Sequence, residues 1–326
     1  VDTCARAGRA RGALTEGRVM RVLCIGECMV EFARRGDGLW EQGFAGDTLN
    51  TAWALRALLP PAARVDYLTR VGTDAFSDAM VAMFAAAGIG TDHVGRDTAR
   101  TVGLYAIRTD ASGERSFGYW RSDSAARGLA ADPAMLGAAL SGADLVYLSG
   151  ITLAILPAGD RERLLQVLGP RRGRGFRVAF DPNLRPRLWQ DGATAARAIS
   201  RAAALADILL PTHEDEAAGF GDAAATLARY RGLGVPEVAV KDGTRPTLWR
   251  LGAQGGRSPV VPSRRVIDTT GAGDAFNGAY LAARLAGAGA APAVALAQRV
   301  AARVVEERGA LVAAEALRAA AHAGAG

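Results

Sequence analysis

From Arg21 onward, short unbroken apolar runs alternate with longer stretches in which apolar residues recur at helical spacing. The runs are Val22 to Gly26, Tyr67 to Val71, Leu145 to Leu148, Val178 to Phe180, Ile208 to Leu210 and Val238 to Val240; the helix-like stretches include Thr48 to Leu59 and Asp74 to Ala87. A short apolar run without polar alternation is the pattern of a strand covered on both faces. Such runs alternating with helices predict an α/β fold, a Rossmann-like, mostly parallel sheet with helices on both faces. Thr101 to Ile107 and Arg115 to Trp120 break the rhythm. They carry β-type residues, flank the polar stretch Thr109 to Glu114, and read as an antiparallel hairpin standing off the main sheet. With no internal repeat, heptad pattern or long linker, residues 20–326 are expected to form one domain with a small β appendage. Residues 1–19 show neither periodicity and are expected to be a disordered tail.

Composition narrows the class. With 50% hydrophobic and 22% charged residues the 326-residue chain lies in the globular range. No apolar run is long enough to cross a bilayer, and Val1 to Arg18 lacks an apolar signal core, so a soluble, cytoplasmic protein without membrane partners is expected. The net charge of +6 raises nucleic acid as a partner, but the basic residues are scattered arginines, with Lys241 the sole lysine. That pattern is a solvated surface rather than a phosphate-binding stripe. Cys4, Cys24 and Cys28 form no C-x-x-C pair, and His93, His213 and His322 have no ligand spacing, which argues against a disulfide framework or a structural zinc site.

The segment most specific for chemistry is Asp268-Thr269-Thr270-Gly271-Ala272-Gly273-Asp274-Ala275-Phe276, which leads into a helix-like run through Leu285. Glycines at 271 and 273 let backbone amides converge on one point, and a helix N-terminus adds partial positive charge where phosphate oxygens would gather. Asp274 is then placed beside a transferring phosphoryl group, as catalytic base or as simple helix cap. A carboxylate at a helix N-terminus is expected to be a weak base that takes the proton late.

This string resembles the D-T-x-G-A-G-D signature of the ribokinase, or PfkB-type, carbohydrate kinases, and the resemblance runs from about Met20 to Val312. It implies a ribokinase-like fold with a small β-sheet lid, contributed by about residues 31–43 and 99–122, and ATP with Mg2+ as cofactors. Gly46-Asp47-Thr48-Leu49-Asn50 resembles the sugar-binding segment, with Gly46, Asp47 and Asn50 toward the substrate. Arg70-Val71-Gly72-Thr73-Asp74 resembles the R-V-G-x-D stretch, and Asp181-Pro182-Asn183-Leu184-Arg185 the D-x-N-x-R stretch. The N-x-x-E motif is replaced here by Thr212-His213-Glu214-Asp215, which keeps a hydroxyl and a carboxylate at the two key places, with Asp215 reaching magnesium through water. Lys241-Asp242-Gly243 matches a phosphate-lining V-K-x-G stretch, or is a strand-end turn; both readings stand. The resemblance implies that Asn183, Thr212, Lys241, Gly243, Gly271 and Gly273 contact ATP and that the Gly271, Ala272 and Gly273 amides form the anion hole. A monovalent cation such as K+ near Asp268 and Thr270 is implied by resemblance alone.

On the hairpin, Phe117, Tyr119 and Arg121 alternate onto one face, so Tyr119 and Arg121 are expected to reach one ligand together. Arginine presents a planar fork suited to a carboxylate, which a neutral sugar lacks, and Arg185 offers a second fork. Tyr119-Trp120-Arg121, Ser124-Ala125-Ala126 and Gly26-Glu27-Cys28-Met29-Val30-Glu31 resemble one branch of the family, the 2-keto-3-deoxygluconate kinases. That implies ATP-dependent phosphorylation of a sugar acid to its 6-phosphate, with Gly46, Tyr105, Tyr119, Arg121 and Arg185 on the substrate, and is compatible with a homo-oligomer. The alternatives are a fructokinase, ribokinase or nucleoside kinase of the same family and, from another class, a non-catalytic sugar-binding regulator.

Overall fold

The structure, a computed structural model, describes residues 19–35, 37–109, 115–169 and 175–323. The expected tail up to residue 18 and the hairpin tip at 110–114 lie outside the described residues. The strands are β1 (Arg21–Ile25), β2 (Met29–Arg34), β3 (Trp40–Ala45), β4 (Arg64–Val71), β5 (Val94–Arg96), β6 (Gly103–Thr109), β7 (Arg115–Trp120), β8 (Leu145–Ser149), β9 (Arg177–Asp181), β10 (Ile208–Leu209), β11 (Glu237–Val240), β12 (Thr247–Leu251) and β13 (Gln254–Ser258).

Nine of them form one sheet in the order β13-β12-β11-β10-β9-β8-β1-β4-β5. It is parallel from β5 to β11. The expected mostly parallel core is therefore present, with an antiparallel edge formed by β12 and β13. Of these, β13 carries little apolar signal: it is Gln-Gly-Gly-Arg-Ser, held to β12 by backbone pairing and by Trp249 Nε1 donating to Ser258 Oγ at 3.1 Å.

Each central strand feeds two cores because successive side chains point to opposite faces. In β1, Val22 and Cys24 join one core with the helices Asp47–Leu58, Ala75–Ala86, Ala272–Leu285 and Ala290–Val304. Leu23 and Ile25 enter the other with the helices Pro133–Leu140, Ala158–Leu168 and Gly192–Leu205. This is why the apolar runs have no polar alternation. Cys24 and Cys28 are buried free thiols. Among the described residues no helix is long and apolar enough to cross a membrane.

The other four strands make a separate sheet in the order β3-β2-β6-β7. Its centre, β2 with β6, is parallel, while β3 and β7 flank it antiparallel. Asp74 caps the helix Ala75–Ala86 by accepting from the amides of Phe76 and Ser77, and its other oxygen accepts from the hydroxyls of Ser77 and Thr101 at the base of β6. The Arg70 to Asp74 stretch thus ties the two sheets together.

Candidate active site

The carboxyl ends of parallel strands in an open sheet are where such folds hold ligands. Here β8 ends in Ser149, β9 in Asp181, and Lys241 directly follows β11. Lys241 is buried, and its Nζ donates to Asp181 Oδ2 and to Asn277 Oδ1, each at 2.8 Å. Asn277 Nδ2 donates back to Asp181 Oδ2 at 2.7 Å and to the Tyr147 hydroxyl at 3.1 Å. Both readings of Lys241 to Gly243 have a place here. The lysine is a buried, paired cation, while the residues after it turn with Gly243 at φ +57°. Thr212 bridges backbone to Lys241.

The glycine loop delivers Asp274. Gly271 adopts φ +75°, and a β-carbon there would come within 2.6 Å of Ala310 Cβ, so both conformation and space require glycine. Gly271 is also the N-cap of the helix Ala272–Leu285, which no side chain caps. The Ala272 amide makes a long bond to the Thr269 carbonyl at 3.3 Å, and no side chain takes the others, so the helix start keeps its affinity for an anion. Asp268 braces the loop by accepting from the amides of Thr270 (2.8 Å) and Gly309 (2.9 Å).

Asp274 stands in the first turn of this helix, half-buried, with its Oδ2 accepting from Asn50 Nδ2 at 2.8 Å. Burial, then the charge of Asp47, push its carboxyl up to about 7, against the opposing effects of Asn50 and Lys241. This corrects the expectation of a weak base. A helix N-terminus favours the ionised form, but desolvation and a like charge outweigh it. Burial also raises Asp47, whose Oδ2 accepts from Asn183 Nδ2 at 2.8 Å. Asn183 has φ +33°, the one non-glycine residue with positive φ among the described residues. Its side chain is turned onto Asp47 and its amide onto Asp181 Oδ1.

Gly46 and Asn50 stand at the N-terminal turn of the helix Asp47–Leu58, Gly46 as its N-cap. On the small sheet Tyr105 donates its hydroxyl to Glu31 and stacks on Tyr119 with ring centroids 5.8 Å apart; Phe117 also stacks on Tyr119, at 6.2 Å. Tyr105 is buried, whereas Tyr119 is exposed. Arg121, expected to present a free fork beside Tyr119, gives its Nη2 to the buried carboxylate of Glu27, which also accepts from Ser124 Oγ. Its Nε is buried without a partner. Arg185 likewise donates to Asp215 Oδ1 at 2.6 Å, so the second fork and the expected magnesium carboxylate are held together. Burial, opposed by Arg185, leaves Asp215 above the usual carboxylate range.

Two residues central to this arrangement stand in quoted or adjacent motifs but are not among the expected ligands. Glu27 lies in the Gly26 to Glu31 segment, and Asn277 lies three residues after Asp274 on the same helix. Nothing local marks either, because their partners are 94 and 36 residues away. A cleft of about 1240 Å³ lies near the amino ends of β1 and β4 among Trp53, Arg56, Pro60, Arg64 and Arg318. It contains none of these groups.

The fold and this constellation define a carbohydrate kinase. The model of the pfkB family carbohydrate kinases matches residues 20–317, and the chain belongs to that family. It is 42% identical over 306 residues to the 2-dehydro-3-deoxygluconokinase of Dickeya dadantii (strain 3937), a match covering 91% of this chain and 98% of that protein. Among solved structures, a PfkB protein from Polaromonas sp. JS666 aligns with a TM-score of 0.79 and 28% identity over 92% of this chain and 100% of its own. The fructokinase of Vibrio cholerae O395 in its fructose-, ADP- and calcium-bound form also gives 0.79, with 25% identity over 92% of this chain and 98% of its own.

Proposed function

We propose that the chain transfers the terminal phosphate of ATP to the primary hydroxyl of 2-dehydro-3-deoxygluconate, also called 2-keto-3-deoxygluconate, giving the 6-phosphate. The observation that carries phosphoryl transfer is Asp274: a carboxylate at the mouth of an uncapped helix, raised to about 7 and oriented by Asn50. A base poised near neutral pH suits proton removal from an alcohol, and the rest of the catalysis is alignment and charge stabilisation. A non-catalytic regulator has no use for such a group. The substrate class rests on Arg121 and on the similarity to the 2-dehydro-3-deoxygluconokinase of Dickeya dadantii.

In this reading Asp274 accepts the hydroxyl proton, and the Gly271, Ala272 and Gly273 amides face the transferring phosphoryl group. Lys241, fixed between Asp181 and Asn277, adds positive charge behind the loop. Gly46, Asp47, Asn50, Tyr105, Tyr119, Arg121 and Arg185 surround the sugar acid, while Asn183, Thr212 and Gly243 lie toward the nucleotide. The small sheet serves as the lid that excludes water. Magnesium, when bound, neutralises charge on the phosphates. Asp215 fits it as a single carboxylate acting through water, because such an ion is held largely by phosphate and water oxygens. Asp268 and Thr270 are the residues that a monovalent cation would approach.

The test is ATP-dependent phosphorylation across a panel of sugar acids and neutral sugars, with Arg121→Ala and Arg121→Lys beside the parent chain. The expected result is preference for 2-dehydro-3-deoxygluconate, lost in Arg121→Ala and partly restored in Arg121→Lys, since an ammonium supplies charge without the fork. Preference for fructose or ribose overturns the substrate and leaves the kinase; no ATP turnover on any sugar overturns both.

A further inference from the structure

A guanidinium buried alone would be strongly disfavoured, yet Arg121 is about nine-tenths buried. Glu27 makes that possible. Its side chain is about 1% exposed, one oxygen accepts from Arg121 Nη2 and the other from Ser124 Oγ. The fit leaves no slack, because a β-carbon on Gly103 would lie 2.9 Å from Glu27 Oε1 and 3.1 Å from Arg121 Cβ. A guanidinium has five N–H donors, and one carboxylate does not saturate them. Arg121 Nε in fact remains buried without a partner. The backbone carbonyl of Glu27 also packs against Gly46, at 2.2 Å from where a β-carbon would be, just ahead of the turn carrying Asn50 and its bond to Asp274. Glu27 therefore connects the lid arginine to the helix that orients the base.

We propose that Glu27 is a positioning residue that sets the preference for acidic over neutral sugars. It holds Arg121 in one rotamer, charged and buried, with donors left for a second carboxylate, that of the substrate. The proposal rests on the reading that Arg121 binds the substrate carboxylate. Arginine carries large rotamer freedom, and its fork is effective only when pre-oriented. The acceptor hydroxyl lies at the other end of the substrate beside Asp274, so a loosened Arg121 weakens binding more than it slows transfer.

The experiment compares the parent chain with Glu27→Gln, Arg121→Ala and the double variant, measuring KM and kcat for 2-dehydro-3-deoxygluconate, for a neutral sugar lacking the carboxylate, and for ATP. Glu27→Gln keeps shape and hydrogen-bonding capacity but removes the charge assistance. It is expected to raise KM for the acid by about tenfold, with kcat within about twofold and KM for ATP and the neutral sugar unmoved. Added to Arg121→Ala, it should change nothing further. If Glu27→Gln does not fold, Ser124→Ala, which removes the other hold on the same carboxylate, is expected to raise the acid's KM by about threefold.

An acid KM that stays level or falls in Glu27→Gln, while Arg121→Ala raises it, overturns this proposal alone. So does an equal rise for acid, neutral sugar and ATP, or a loss that adds fully to that of Arg121→Ala. An Arg121→Ala variant that does not discriminate between acid and neutral sugars overturns both this proposal and the substrate reading beneath it.

Discussion

Asn50 donates its side-chain amide to Oδ2 of Asp274 across 2.8 Å, although 224 residues separate the two in the chain. The bond favours the ionised carboxylate and so opposes the burial and the Asp47 charge that raise it. Replacing Asn50 by Ala removes this opposition. A hydrogen bond to a charged group contributes roughly 1.5–3 kcal/mol, or about one to two pKa units. The acid limb of kcat/KM for the sugar, recorded from pH 6 to 9.5, should move up by about that much. Activity should fall about five- to fiftyfold at pH 7 and recover most of that loss by pH 9, any deficit left at high pH being the lost contact of Asn50 with the sugar; a deficit equal at every pH would make Asn50 only a spacer.

Asp274→Asn should lower turnover by about a hundredfold or more, the general-base range, with ATP binding retained. Its stability should move the other way. The folded carboxyl sits at about 7 against roughly 3.9 unfolded, so the folded state holds the proton more tightly, and stability present at low pH is lost as pH rises through about 7. The asparagine variant escapes that loss. Urea melts should show it more stable than the parent at pH 8, by on the order of a few kcal/mol, with the gap shrinking toward pH 5. A variant less stable at pH 8 would mean that Asp274 is ionised in the folded protein without strain.

Lys241 and Asp181 form a buried ion pair completed by Asn277. Removing one partner leaves a buried charge, so Lys241→Met should destabilise by roughly 3–5 kcal/mol. Adding Asp181→Asn should recover much of it. Equal instability of single and double variants, measured by denaturant melts, would place the effect in packing rather than charge.

Away from the site, Arg21 Nη2 approaches His93 Nε2 at 2.7 Å. Arginine can only donate, so His93 accepts through Nε2 and is neutral. Burial, then Arg21, hold His93 below the usual histidine range, while Asp66 and Asp92 oppose and Arg64 reinforces the shift. A depressed histidine means that the unfolded chain binds the proton first, so stability falls as pH drops below about 6.5. His93→Gln should flatten the melting temperature between pH 6.5 and 5; an unchanged slope there would remove His93 from the acid response.

Apolar runs such as Val22 to Gly26 were enough to specify the parallel core, because a strand buried on both faces must be apolar throughout. The Asp268 to Phe276 string was enough to mark the anion loop, because only glycine tolerates φ +75° against Ala310. These are local constraints, and local sequence expresses them. The antiparallel edge β12–β13 was not legible, since β13 is held by backbone pairing and carries little apolar signal. The state of each charged group was illegible for a deeper reason. Asp274 as a helix-start carboxylate reads as a weak base, and only the burial and the neighbour Asp47 brought by the fold reverse that. Arg121 and Arg185 read as free forks, yet one meets Glu27 and the other Asp215, contacts spanning 94 and 30 residues. Residue type and spacing determine which groups are available. Desolvation and long-range pairing, which exist only once the chain has closed on itself, decide which of them are charged and where they point.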